Sequence, residues 1–118
     1  MKYVLLAYRD EERWNAMSTN EHDALENACL AYEQDLEQSD HLFAVDGLKS
    51  SRDAISVQFV DGQISLTEGP FAEAPGQLIR LFFINARDLN EAIQAAAKMP
   101  QARIGPIEVR PIMETGKM

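Results

Sequence analysis

Leu-Ile-Arg-Leu-Phe-Phe-Ile-Asn, residues 78–85, is the most apolar run in the chain. Successive side chains of a β-strand point to opposite faces, and in this run both alternate sets are dominated by apolar residues. A strand that is apolar on both faces has to be covered on both. The run therefore predicts the central strand of a sheet, with other protein packed against each face.

Three further runs predict strands that pair with this one. Lys2–Tyr8 is also apolar on both faces, and His41–Leu48 and Pro106–Ile112 have the length and composition of strands. Between the second and the central strand, Ala54–Val60 and Gln63–Thr67 predict a hairpin. Its turn, Asp61-Gly62, tolerates the positive φ angles of a tight primed turn. Because apolar and polar residues alternate along Ala54–Val60, we expect one apolar and one solvated hairpin face.

Two helices are indicated by capping residues. Ser18 and Glu21 match a capping box, which begins a helix that runs to about Gln38. Asp88 begins the second helix, and Pro100 ends it.

The first helix carries an apolar stripe at three- and four-residue spacing, formed by Leu25, Cys29, Tyr32 and Leu36. Cys29 is therefore predicted as a small core residue and not as a nucleophile. The acidic residues Glu26, Glu33 and Glu37 lie off this stripe, and we expect them to face water.

The order of elements is strand–helix–strand, an inserted hairpin, then strand–helix–strand. This order predicts an α+β fold of the ferredoxin-like βαββαβ type, with one antiparallel sheet and both helices on one face. The other face of the sheet is also apolar and would stay bare in a single chain. We therefore predict a homodimer in which the sheets of two chains pack face to face.

Composition limits the partners. The 118 residues fit a single domain, residues 1–118, with a formal net charge of −8. Nucleic-acid phosphates and anionic membranes both require clustered cations, so we expect no direct nucleic-acid binding and no membrane association. The lone Cys29 excludes an internal disulfide, which suits a reducing cytoplasm. Because no phosphate-binding glycine loop and no paired-histidine motif is present, we predict no cofactor and no metal site.

The segment that precedes the central strand is an unusual loop. Two turn-forming pairs, Gly69-Pro70 and Pro75-Gly76, enclose Phe71, which is too apolar for an ordinary solvated loop. Glu68 and Glu73 flank Phe71. The loop is either the lining of a cleft or a rigid connector with both carboxylates in water.

This loop also resembles a known signature. Residues 68–73, Glu-Gly-Pro-Phe-Ala-Glu, are similar to the Asp-Gly-Pro-Phe-Ala-Glu motif of the YCII-related family, in its DGPF-domain branch. The resemblance extends to the opening residues 1–6, to Asp10-Glu11 and to the closing residues 107–112, and Glu68 stands where the family usually has Asp. It implies a dimeric α/β barrel and a possible small organic ligand.

The resemblance also bears on His22, at the start of the first helix. YCII-like proteins outside the DGPF branch often have a histidine near this position, proposed as an acid–base residue. On residues alone, His22 is either a proton-exchanging group or an exposed helix residue. We take His22, Glu68 and Glu73 as candidate catalytic residues.

Arg110 is the remaining candidate. It alternates with Ile107 and Val109, which should face the helices, so Arg110 should point to the opposite face of the sheet. A cation there needs a carboxylate, for which Asp46, Glu68 and Glu73 are candidates, and Arg80 is expected to join this network. The alternatives are a structural ion pair and a ligand-binding site formed by Asp46, Phe71 and Arg110.

Two functions remain open, beside a dimeric protein whose apparent cleft is only a packed interface. The first is a small-molecule-binding protein of the YCII-related type, one form of which is an enzyme that uses carboxylate/His acid–base chemistry without a cofactor. The second is a non-catalytic accessory or regulatory protein, because DGPF-type domains resemble modules that accompany sigma factors.

Overall fold

A computed structural model describes residues 1–71 and 76–114. These residues form six strands and three helices. In chain order they are β1 (Lys2–Arg9), α1 (Glu11–Asn15), α2 (Thr19–Gln38), β2 (Leu42–Gly47), β3 (Ile55–Val60), β4 (Gln63–Glu68), β5 (Gln77–Asn85), α3 (Leu89–Ala97) and β6 (Ile107–Pro111). Short 3-10 turns at Ser51–Asp53 and Pro100–Arg103 follow β2 and α3.

The main sheet has the strand order β2-β5-β1-β6, and every neighbouring pair is antiparallel. This is the order of a ferredoxin-like βαββαβ unit, so the predicted α+β fold is confirmed. β5 and β1 are the two central strands, as their apolar composition predicts. The short helix α1 was not predicted, because its polar residues 11–15 lack an apolar stripe; Asp10 caps it by accepting from the backbone N–H groups of Glu12 and Arg13.

Local signals at the ends of elements are confirmed. The Ser18 hydroxyl accepts from the backbone of Glu21, and the Glu21 carboxylate accepts from the backbone of Ser18, which completes the capping box of α2. Asp88 caps α3 through the backbone N–H of Glu91. In the β3–β4 turn, Asp61 and Gly62 have φ angles of 49° and 78°, the left-handed region that favours these residues.

The core lies between the helices and one face of the main sheet. Its largest fully buried side chains include Tyr3 and Leu5 of β1 and Phe82 and Ile84 of β5. Burial of each contributes about 1.5–3 kcal/mol relative to an exposed side chain. The Tyr32 hydroxyl donates to the carbonyl of Ala95 at 2.8 Å and so ties α2 to α3.

The other face of the main sheet is only partly covered. Val4, Leu6 and Phe83 alternate with the core residues and are half buried, and the ring of Phe43 lies 6.1 Å from that of Phe83 while remaining largely exposed. The molecule measures 48 × 41 × 19 Å, so it is flat. The face-to-face dimer stays a prediction.

The hairpin β3–β4 forms its own two-stranded sheet. Val57 pairs with Leu66 and Phe59 pairs with Ile64, so these side chains share one face, as the alternation predicts. Phe59 is 75% exposed, and the rest of this apolar face is also open to solvent.

Candidate functional site

A bulge in β5 aims several side chains into a cleft. Ala7 of β1 lies opposite Arg80, but the next residue, Tyr8, lies opposite Leu78, so Ile79 is an extra residue in β5. The extra residue changes the alternation, and Gln77, Ile79 and Arg80 all line the same cleft on the helix side of the sheet.

The cleft has a volume of about 730 Å³, which lies in the range of small-molecule sites. It is bounded by α1, α2, the end of β5, the segment after β2 and the turn Pro100–Arg103. Apolar side chains cover part of its wall, namely those of Trp14, Leu25, Leu30, Leu48, Ile79 and Ile104, together with Cys29. The charged residues that line it are three arginines and three glutamates: Arg9, Arg52 and Arg80 with Glu11, Glu26 and Glu33.

An ion pair between β5 and α2 crosses the cleft. Arg80 donates from Nε and Nη2 to the two carboxylate oxygens of Glu33, at 2.7 and 3.2 Å, and the Glu33 side chain is only 12% exposed. Two parallel hydrogen bonds of this kind fix the orientation of both groups. The expectation that Glu33 faces water was wrong, because α2 turns this carboxylate toward the sheet, where Arg80 needs a partner.

Arg80 lies on the helix face of the sheet. Its guanidinium carbon is 5.9 Å from the centre of the Phe82 ring. Gly47, paired with Arg80 across β2 and β5, leaves room for it, since a Cβ there would lie 2.9 Å from Arg80 Nη1. The expected network of Arg80 with Arg110 was therefore wrong. Arg80 lies on the same face of the sheet as the core residues Phe82 and Ile84, whereas Arg110 lies on the opposite face.

The rim of the cleft is a stack of three side chains. The Arg9 guanidinium lies 4.6 Å from the centre of the Trp14 ring and donates to Glu11 at 2.9 Å. On Trp14, the His22 ring stacks at 3.7 Å with an interplanar angle of 8°. His22 Nε2 lies 2.7 Å from the Trp14 carbonyl oxygen, so Nε2 carries a hydrogen and donates to it. His22 therefore supports the rim and does not itself line the cleft.

Cys29 faces the cleft from α2 and is half buried. Burial raises the pKa of its thiol above the ordinary value, and the negative charge of Glu33 raises the pKa further. The thiol is therefore protonated at neutral pH and is a poor nucleophile, as predicted. The predicted place of Cys29 in the core was wrong, because this part of α2 faces the cleft.

Gln101 lines the cleft from the turn Pro100–Arg103. Its side chain is 4% exposed, and its Oε1 has no hydrogen-bond partner among residues 1–71 and 76–114. Sequence analysis did not single out Gln101, because a glutamine after a helix-ending proline carries no signal of burial.

Asp46, Glu68 and Phe71, three of the other predicted site residues, do not line this cleft. Asp46 is exposed on β2, on the face of the sheet that carries Leu81. Glu68 ends β4 opposite Ile55, in the separate hairpin sheet, and Phe71 is exposed. Glu73 lies outside the described residues.

Arg110 points to the predicted face of the sheet. It is 66% exposed and pairs with Glu108, two residues earlier on the same strand, instead of with the expected Asp46 or Glu68. The structure does not bring the predicted catalytic residues His22 and Glu68 together, and the roles of all six predicted site residues stay predictions.

Two features are absent from residues 1–71 and 76–114. No helix there combines the length and apolar character that crossing a bilayer requires. Within the same residues, no group of three or more His, Cys, Asp or Glu side chains is placed to hold a metal ion.

Comparison with known proteins gives two findings. A family model described as the YCII-related domain matches residues 1–115. An uncharacterised protein of Rhizobium meliloti (strain 1021) is 29% identical over 114 residues, which cover 95% of this chain and 92% of that protein.

Proposed function

Because the chain belongs to the YCII-related family, we propose that it is a homodimeric protein that binds a small organic molecule in the cleft between α2 and the bulged end of β5. The observation that carries this proposal is the cleft itself. Its volume of about 730 Å³ and its mixture of apolar walls with a few fixed polar groups are typical of small-molecule sites.

Binding fits the geometry better than proton transfer does. The Glu33 carboxylate is held by both arms of its ion pair with Arg80, and His22 Nε2 is occupied by the Trp14 carbonyl. A general acid or base needs to reach the proton that it transfers. Acid–base chemistry by His22, Glu68 and Glu73 therefore remains a secondary proposal.

Filling the cleft tests the proposal. Cys29→Phe places a large side chain in the cleft, whereas Ala31→Phe places the same side chain on an exposed position of α2 and serves as the control. A fragment library is titrated into the full chain, and amide chemical shifts are followed by NMR. We expect fragments to shift the amides of cleft residues in the wild type and in Ala31→Phe, and not in Cys29→Phe.

The opposite result is equally clear. Shifts confined to other parts of the chain, or cleft shifts that persist unchanged in Cys29→Phe, would remove the basis for a ligand site here.

The homodimer is supported by the apolar surface that a single chain leaves open. The exposed hairpin face of Ile55, Val57, Phe59, Ile64 and Leu66 offers on the order of 500 Å² of apolar surface, and the half-covered face of the main sheet adds more. Monomers rarely expose patches beyond this size, and a standard interface buries about 800 Å² per partner. A second copy of this chain is the proposed cover of both surfaces.

An accessory role is the second candidate. The exposed hairpin face would also suit a different protein, such as a sigma factor. The state of the pure protein together with Phe59→Asp separates the two candidates. A dimer that this substitution dissociates has the hairpin face occupied, and a monomer leaves the face free for such a partner.

A further inference from the structure

A second pocket, the α2–α3 pocket, lies between the C-terminal end of α2 and the neighbouring helix α3. Its volume is about 640 Å³, which is in the range of small-molecule sites. Among the residues that the structure describes, none lines both this pocket and the cleft. Three residues that line the pocket carry a hydroxyl, an imidazole and a carboxylate, namely Ser39, His41 and Glu91. These are the groups of an activated nucleophile.

The three side chains contact one another in sequence. Ser39 Oγ lies 2.8 Å from His41 Nδ1, and His41 Nε2 lies 3.4 Å from Glu91 Oε1. Because a lone pair on Nε2 would repel the carboxylate, the neutral ring carries its hydrogen on Nε2 and leaves Nδ1 as the acceptor. The Ser39 hydroxyl therefore donates to Nδ1. The other acceptor within its reach, the carbonyl oxygen of Leu36, is farther away at 3.2 Å.

The end of α2 places the serine beside the histidine. Ser39 is the C-terminal cap of this helix, and the next residue, Asp40, has a φ of 61°. The backbone N–H of His41 then donates to the Leu36 carbonyl at 2.9 Å, which is the hydrogen bond of a Schellman motif. This turn reverses the chain, so the side chains of Ser39 and His41 meet although only one residue separates them.

The carboxylate of Glu91 is held independently of the histidine. It accepts from the backbone N–H of Arg87 at 3.1 Å and pairs with the Arg87 guanidinium at 3.3 Å. A carboxylate fixed in this way orients the histidine, which in turn accepts from the serine hydroxyl, and this is the logic of a serine hydrolase triad. The two ring nitrogens have exchanged the places that they occupy in serine proteases.

The surroundings of the three residues suit a small ester. Ser39 is exposed and His41 is partly exposed, so both an ester and water reach the hydroxyl. Tyr32 and Ala95 line the pocket and offer apolar contact for an acyl group. Side chains that carry N–H donors line it as well, and such donors stabilise the oxyanion that forms when a hydroxyl attacks a carbonyl: Gln38, Gln94 and Lys98.

The geometry points to an esterase activity in the α2–α3 pocket, with Ser39 as the nucleophile, His41 as the general base and Glu91 as a positioning residue. Ser39 Oγ bonds to the carbonyl carbon of a small carboxylic ester and passes its proton to His41 Nδ1. The bond to the leaving oxygen then breaks, and that oxygen takes the proton from Nδ1. Water attacks the acyl-serine by the same route, which releases the acid and restores the Ser39 hydroxyl.

Covalent labelling tests the nucleophile in the full wild-type chain. Diisopropyl fluorophosphate forms a bond from its phosphorus to an activated serine oxygen and releases fluoride. Peptide mass spectrometry then identifies the labelled residue. We expect the label on Ser39 and not on Ser65, which is an exposed serine of β4 and serves as the internal control. His41→Gln removes the base, so the label on Ser39 should be lost.

Hydrolysis of p-nitrophenyl acetate measures the whole reaction. We expect Ser39→Ala to lower kcat/KM about a hundredfold, the order of magnitude that an activated nucleophile provides, whereas Ser65→Ala should leave it unchanged. Glu91→Gln keeps an acceptor for the Arg87 N–H but removes the charge that fixes the histidine tautomer. We expect this variant to lower kcat about tenfold with KM within about twofold, a change that a merely structural residue would not produce.

Two results would overturn the inference. The first is a wild-type chain in which Ser39 stays unlabelled, and this result needs no variant that folds. The second is a hydrolysis rate in Ser39→Ala equal to that of the wild type, which would assign the reaction to other surface groups and leave Ser39 as a helix cap. Because the α2–α3 pocket and the cleft are separate, neither result bears on ligand binding in the cleft.

Discussion

The main sheet and the β3–β4 hairpin are built from similar strands but have different surroundings. In the main sheet, Phe82 is fully buried beneath the helices, whereas Phe59 in the hairpin is 75% exposed. Both phenylalanines lie on the apolar face of an antiparallel pair. The difference is that α2 and α3 cover one face of the main sheet, and no helix in the described residues covers the hairpin.

This contrast shows what strand alternation does and does not specify. Alternation determines which side chains share a face, because the side-chain period of a strand is two. It does not determine what covers that face. For β1 and β5 the cover on one side comes from the same chain, and for the hairpin we propose that it comes from a second copy.

The largest expected effect comes from a charge on the hairpin face. Phe59→Asp places a carboxylate in the proposed interface of each chain, and we expect the dimer dissociation constant to rise at least about a hundredfold. Gln58→Asp adds the same charge to the opposite, polar face and should leave the dimer intact. Sedimentation velocity over a dilution series measures both. Equal effects of the two variants would contradict the assignment of this face to the interface.

Arg80 lies on the covered face of the main sheet, and Arg110 lies on its open face. Arg80→Met leaves the mostly buried Glu33 without its partner, and we expect a loss of about 1–3 kcal/mol in the free energy of unfolding. Arg110→Met breaks an exposed pair with Glu108, and we expect a loss of about 0–1 kcal/mol. Urea denaturation at one fixed protein concentration gives both values.

A matched variant tests the cause of the first loss. Glu33→Gln combined with Arg80→Met removes the unpaired charge, so part of the stability should return. If Arg110→Met lowered the free energy of unfolding more than Arg80→Met does, the ion pair on the open face would be the more stabilising one, contrary to our expectation.

The smallest expected effect concerns the thiol of Cys29. Its pKa lies above the ordinary value of 9.0, because of burial first and the charge of Glu33 second. Iodoacetamide alkylation of the folded protein should therefore accelerate at a higher pH than in the urea-unfolded chain, and Glu33→Gln should move the midpoint back toward the ordinary value.

The raised pKa of Cys29 also makes the stability of the fold depend on pH. As the pH rises, the Cys29 thiol keeps its proton to a higher pH in the folded state than in the unfolded state. The stability linked to the protonated thiol is therefore fully present below the ordinary pKa and is lost as the pH rises through the folded-state pKa. An alkylation midpoint at or below that of the unfolded chain would contradict the cleft environment.

The sequence predicts the order of elements well, because its signals are local. The capping box at Ser18 and Glu21, the Asp61-Gly62 turn and the Asp88 cap all depend on residues within a few positions of one another. The antiparallel ferredoxin-like order then follows from the apolar strands and two amphipathic helices.

The cleft could not be predicted in the same way. Its parts are the Ile79 bulge, the Arg80–Glu33 pair and the buried Gln101, and each depends on contacts between distant segments. One signal for the pair was available: Arg80 lies two and four residues before Phe82 and Ile84, so it should share their covered face and require a carboxylate from a helix. Glu33 was assigned to solvent because it lies off the apolar stripe of α2. That assignment did not consider that Arg80 would point from β5 toward the helices and attract a carboxylate.

We propose that a second copy covers the apolar surfaces that one chain leaves open. Native mass spectrometry of the purified wild-type chain at micromolar concentration tests it most directly. We expect a species of about twice the 13.2 kDa chain mass. A single species at the mass of one chain, persisting as the concentration is raised, would contradict it and leave the hairpin face to a different partner.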